Sequence, residues 1–181
     1  MNHDSRRRHA RALFHFSTAM AGMAAAWPSQ AHITLHPDTA PAGTYFEAAF
    51  VVPHGCDGSP TVALRATIPE GITSVKPQMK PGWKVSLTYR QVDPPIKSES
   101  GAMIDQVVAT VQWRGGPLPG NLYDSFGLLM KLPATAGKTL YFPVEQICEN
   151  GRSAWIHIPA KGQEWHAVRQ PAPYLRLRPA H

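Results

Sequence analysis

From residue 32 onward the chain is cut into short apolar or alternating stretches, each closed by proline or glycine. They read HITLHP, TYFEAAFVVPHG, TVALRATIPEG, WKVSLTYRQV, DQVVATVQWRGG, SFGLLMKLP, KTLYFPVEQI and SAWIHIP. No run carries a convincing helical repeat, so the pattern predicts an all-β chain folded as an antiparallel β-sandwich. The period within the stretches is two. In VALRATI, Val62, Leu64, Ala66 and Ile68 share one face while Ala63, Arg65 and Thr67 share the other; in VVATVQW, Val107, Ala109, Val111 and Trp113 fall together. These faces, with Trp83 and Trp113, are the expected core. Most of the 18 prolines end strands, as in VVP, TIP, KLP and HIP, which discourages pairing between exposed edges. Tyr174–Arg178 reads as a final strand before a frayed end, and no internal repeat is visible.

The first 31 residues have a different character. Arg6, Arg7, Arg8 and Arg11 precede an apolar run from Ala12 to Trp27, and the small residues Ser29 and Ala31 follow. This is the layout of a secretory signal peptide cut between Ala31 and His32. The apolar run is short for a membrane span of about 20 apolar residues and contains His15. Ser5-Arg6-Arg7 also resembles a twin-arginine signal. The expected product is a single domain, residues 32–181, exported to the periplasm or the extracellular space and without a transmembrane segment. The formal charge of +6 shrinks once the leader is removed, to 14 basic against 11 acidic residues. The one basic cluster, Arg176-Leu177-Arg178, is too small to suggest nucleic-acid binding.

Cys56 and Cys148 both lie in the exported part, where oxidation is permitted, and two thiols allow one intramolecular pairing. Closing so long a loop would stabilise by about 4–5 kcal/mol in the chain-entropy description. The rival use of a cysteine, in a Cys/His copper site with an axial Met, would leave the other thiol unpaired.

Cleavage at Ala31 would make His32 the first residue, with a free α-amine and an imidazole on one residue. Two neutral nitrogens in one chelate ring suit Cu(II), and binding would release protons. His54-Gly55-Cys56-Asp57 stands where the strand FVVP turns into a loop, so its side chains can be exposed while a disulfide pins its backbone. Trp155, seven residues after Cys148, would be restrained by the same bridge, either as a core residue or as a wall beside a cation. His36, His157, His166 and His181 show no metal-ligand spacing, and His157, between Ile156 and Ile158, should point outward. Met79, Met103 and Met130 are scattered and make no soft-ligand cluster. GxSxG, HExxH, CxxC and Walker patterns are absent, which argues against an enzyme of those classes.

Taken together, A-H-I-T-L-x-P, A-P-A-G, V-P-H-G-C-D-G-S-P-T, I-P-E-G, V-K-P-x-M-K-P-G-W, V-x-W-x-G-G-x-L-P, L-P-A-x-x-G-x-T-L-x-F-P-V-x-Q-I-C-E-x-G and P-A-P-Y-L-x-L resemble the YcnI-like copper-binding proteins. The likeness spans nearly all of His32–Leu177. It implies an immunoglobulin or cupredoxin-like sandwich that binds Cu(II) through a mature N-terminal histidine brace, with a carboxylate completing the inner shell and a tryptophan packed against the ion. By position, His32 matches the brace residue and Trp155 the tryptophan. In relatives without the two cysteines a Glu follows the V-P of the first long strand. Here that segment is His54-Gly55-Cys56-Asp57, so His54 or Asp57 is the expected replacement, with Glu47 a weaker candidate.

The expected role is storage, buffering or delivery of copper, with a copper transporter or copper-acquiring membrane protein as the receiving partner. Two other classes remain open from sequence: a histidine-brace oxidase or monooxygenase, and a metal-free interaction module.

Overall fold

The computed structural model describes residues 32–98 and 100–180; the leader and its cleavage point, and His181, lie outside the described residues. In chain order the strands are β1 (Thr34–His36), β2 (Thr39–Pro41), β3 (Tyr45–Val52), β4 (Thr61–Thr67), β5 (Ser74–Pro77), β6 (Trp83–Lys97), β7 (Met103–Leu118), β8 (Asp124–Lys131), β9 (Thr139–Tyr141), β10 (Val144–Cys148), β11 (Arg152–Trp155) and β12 (Tyr174–Arg178). One antiparallel sheet runs β1-β3-β8-β5 and a second β11-β10-β4-β7-β6. A small third sheet, β2-β12-β9, contains a parallel pair, β2 with β12. Among the described residues there is no α-helix, only a 3-10 turn at Trp165–Ala167, so none is long and apolar enough to cross a membrane.

The core forms because alternate residues of the two large sheets face each other. Phe50, Phe126, Leu128 and Met130 from the first sheet meet Leu64, Ala66, Val111 and Trp113 from the second, all 1% exposed or less. Phe50 packs edge-on against both Trp113 and Phe142, an arrangement that favours the positive ring edge on the negative ring face. Trp113 is fully buried as expected, while Trp83 is partly buried and packs against the cluster.

The predicted sandwich is present, with three departures in detail. KTLYFPVEQI is two strands, because the chain leaves the third sheet at Phe142-Pro143 and enters the second at Val144. Proline cannot donate to a ladder, which suits that crossing. The short strands β2 and β5 were not legible in the sequence; both contain proline and lie at sheet edges. In β7 the expected face is broken: Thr88 pairs with Thr110 but Tyr89 with Val108, so Ala109 is the extra residue. Such a bulge reverses the alternation. Val108, Val111 and Trp113 therefore join the core and Ala109 does not.

Candidate metal centre

The β1–β3 register brings the first described residue to the loop after β3. Thr34 lies opposite Val51 and His36 opposite Ala49, so continuing the ladder by two residues sets His32 against Pro53, beside His54. The His54 loop then crosses from the first sheet to the second. It closes tightly, with Cys56 and Ser59 exchanging backbone hydrogen bonds of 3.1 and 2.9 Å. Gly55 is required there, because a Cβ would lie 1.9 Å from the Ser59 carbonyl oxygen.

The Cys56–Cys148 disulfide fastens this loop to the end of β10, with Cα atoms 6.0 Å apart. The expected bridge is formed, and the cysteines are unavailable as ligands. Below the loop lies Gln146, fully buried. Its amide nitrogen donates to the His54 carbonyl at 2.7 Å and to Thr61 Oγ1 at 2.9 Å, while its oxygen accepts from Trp155 Nε1 at 3.1 Å. One side chain thus ties loop, strand and indole together.

His32 sits between two indoles, its ring centre 5.7 Å from that of Trp155 and 5.1 Å from that of Trp165. The His166 ring lies 6.0 Å away at 75°. His54 meets the other part of the same wall, 6.3 Å from Trp155. The His54 Nδ1 is 2.6 Å from the Gly55 carbonyl oxygen. A carbonyl only accepts, so this contact puts the proton on Nδ1 and the lone pair on Nε2. Burial, followed by the neighbouring His166 and His54 rings, holds the His32 pKa below the ordinary histidine value. The neutral form, which is the metal-binding form, is favoured.

A family profile described as "Domain of unknown function (DUF1775)" matches residues 32–177. The chain belongs to the DUF1775 family. It is similar to a crystal structure of an uncharacterized protein from Nocardia farcinica, described as having an immunoglobulin-like fold, with a TM-score of 0.59 and 25% identity. The similarity covers 81% of this chain and 98% of that one. No curated protein matches.

Within this DUF1775 domain, His32 and His54 both stand against Trp155. Trp155 is both core and wall, 2% exposed and touching both histidines. Asp57 is different: it takes the left-handed position of the turn, φ 48°, and is exposed. Glu47 is exposed on β3 opposite Leu129. It lies six residues back from Pro53, ~20 Å at the rise of an extended strand, and so does not reach His32.

Three contributors escaped sequence reasoning. Gln146 was detectable: in VEQIC it alternates onto the inward face with Val144 and Cys148, and a polar residue at a core position signals a network. Trp165 and His166 gave no such signal, since they arrive from a 3-10 turn far along the chain. His157 is exposed, as expected.

The donor chemistry can be tested against copper. Among the described residues, no three His, Cys, Asp or Glu side chains converge as a ready metal cage. A brace needs fewer side chains, because a terminal amine supplies one donor. Soft sulfur is missing from the site: both cysteines are bridged, Met130 is in the core, and Met79 and Met103 are 89% and 63% exposed on the β5–β6 loop and β7. What surrounds His32 is imidazole and indole, and the nitrogen donors fit a Cu(II) site and not a thioether Cu(I) site.

Proposed function

We propose that this DUF1775 domain is the mature part of an exported, YcnI-like Cu(II)-binding protein that stores, buffers or delivers copper. The observation that carries the reading is the setting of His32. Its imidazole, its pKa held below the ordinary histidine value by burial, stands at an indole-walled rim beside two further imidazoles. Cleavage after Ala31 adds the α-amine of the same residue as a second donor. The family match beginning at His32 is consistent with a domain that starts there. Copper is cargo in this reading, passed by ligand exchange to a receiving membrane protein. The rim position supports exchange, because His32 is half-buried and His166 exposed. The disulfide agrees with an oxidising compartment.

The test compares two exported forms whose first residues are verified by intact mass, one beginning at His32 and one carrying an extra alanine before it. A Cu(II) titration should give tight one-to-one binding in the first and loss of at least about 100-fold in the second, since the amine is displaced from the chelate. Equal affinity in the two forms would overturn the reading. The oxidase alternative uses the same residues, and copper-dependent consumption of ascorbate and dioxygen would favour it.

A further inference from the structure

We infer that His166 supplies a second imidazole to the copper ion held by His32, making a site of three nitrogens in which neither Asp57 nor His54 is the third donor. This rests on His32 being the copper residue.

Distance supports it first. With metal–nitrogen bonds of ~2 Å, an ion stands ~3.1 Å from the centre of each imidazole it binds, so two rings can share it at centre separations up to ~6.2 Å. His32 and His166 are at 6.0 Å, within that reach, and their planes differ by 75°.

The second support is how the ring is presented. Trp165 anchors the turn: its Nε1 donates to the Ala172 carbonyl at 2.8 Å, and its ring packs against Tyr174 at 5.5 Å. The turn closes through Ala167 N–H to the Glu164 carbonyl and Val168 N–H to the Trp165 carbonyl. His166 is thereby carried on a fixed base while its own side chain is exposed and able to adjust. The same indole lies 5.1 Å from His32, so one residue sets the spacing of both rings.

The alternatives are placed less well. His54 donates Nδ1–H to the Gly55 carbonyl, which leaves its other nitrogen able to bind, but its ring packs on Trp155, whereas the His166 ring meets that of His32. Asp57 is turned outward at the loop tip. The nearby carboxylate of Asp38, which shares a groove with His166, faces Tyr174 Oη at 3.4 Å and Arg176 at 3.9 Å. An amine with two imidazoles is a donor set that suits tetragonal Cu(II) and leaves a position for an exchanging ligand.

The experiment uses the exported protein with His32 confirmed as its first residue. It is loaded with one equivalent of Cu(II) and studied by pulsed electron paramagnetic resonance, which counts coupled imidazoles. The unaltered protein should show two, His166→Ala and His166→Gln one, and His54→Ala two. Removing His166 should weaken Cu(II) binding at least ~10-fold, since even outer-shell partners cost that much. Unchanged couplings in both His166 variants, or loss of one in His54→Ala, would overturn the assignment while leaving His32 in place. Absence of any His32-dependent copper signal in the unaltered protein would instead remove the reading beneath it, and the His166 assignment with it.

Discussion

The five-stranded sheet has two edges, and comparing them shows where this fold invests its order. At the β11 edge, the His54 loop is bonded covalently to β10, and Gln146 joins that loop to Thr61 and Trp155. At the β6 edge, a strand of 15 residues pairs with β7 and has no fully buried residue. Val85, Tyr89 and Ile96 are exposed there, and the pairing slips twice. Pro94, Pro95 and Lys97 at its far end discourage another strand from adding on. The difference fits the proposed role of the β11 edge in holding the copper site. A shallow site of a few nitrogen donors depends on sub-ångström placement of its ligands, which a cross-tied edge supplies. The ribbon only has to close the sheet.

The strongest way to break the contrast is to cut the covalent tie. Replacing Cys56 and Cys148 together by alanine should cost about 2–5 kcal/mol in urea denaturation, the usual effect of losing a native bridge across a long loop. Alanine avoids burying new hydroxyls at two sites that are 7% and 5% exposed. A cost below about 1 kcal/mol would mean that hydrogen bonds alone hold the loop, and the two edges would then differ less than their contacts suggest.

Gln146→Leu sharpens the same comparison with a smaller expected effect. Leucine keeps most of the volume but leaves the Trp155 N–H without its acceptor and removes a donor from the His54 carbonyl and Thr61. The expected loss is about 1–3 kcal/mol, the penalty for stranding a buried polar group. Near-UV circular dichroism should report the changed setting of Trp155. A neutral substitution would show that water takes over the role of the amide.

These two edges were unequally legible in the sequence. Alternation in TVALRAT and VATVQW was enough for the sandwich, because a half-buried strand must expose every second residue. The bridge followed from there being two cysteines, and Trp155 followed from its place after Cys148. The bulge at Ala109 was hidden, because a one-residue slip leaves composition unchanged while reversing the faces. His166 was hidden for a different reason. Its meeting with His32 depends on a 3-10 turn packing across the sandwich, a contact between residues far apart in sequence that no local spacing encodes. Asp57 and Glu47 were named for their chemistry, and their positions, an exposed left-handed turn and an exposed site on β3, depend on turn direction and register that composition does not encode.

The smallest effect should come from the ribbon. Tyr89 is 58% exposed and stands beside the slip at Thr88, so little apolar area is lost when it is shortened. Threonine is β-branched and well accepted in strands, so Tyr89→Thr should change stability by no more than ~0.5 kcal/mol. A loss above about 1 kcal/mol would show that the exposed edge carries part of the fold's stability. Combining Tyr89→Thr with Gln146→Leu gives the decisive form of the test, because Gln146 on β10 and Tyr89 on β6 are separated by β4 and β7. Effects at sites that share no partner add to within ~0.5 kcal/mol. Additive losses would mean that the ordering of the β11 edge is local to it, whereas coupling beyond that margin would mean that the ribbon helps to set the geometry around His32.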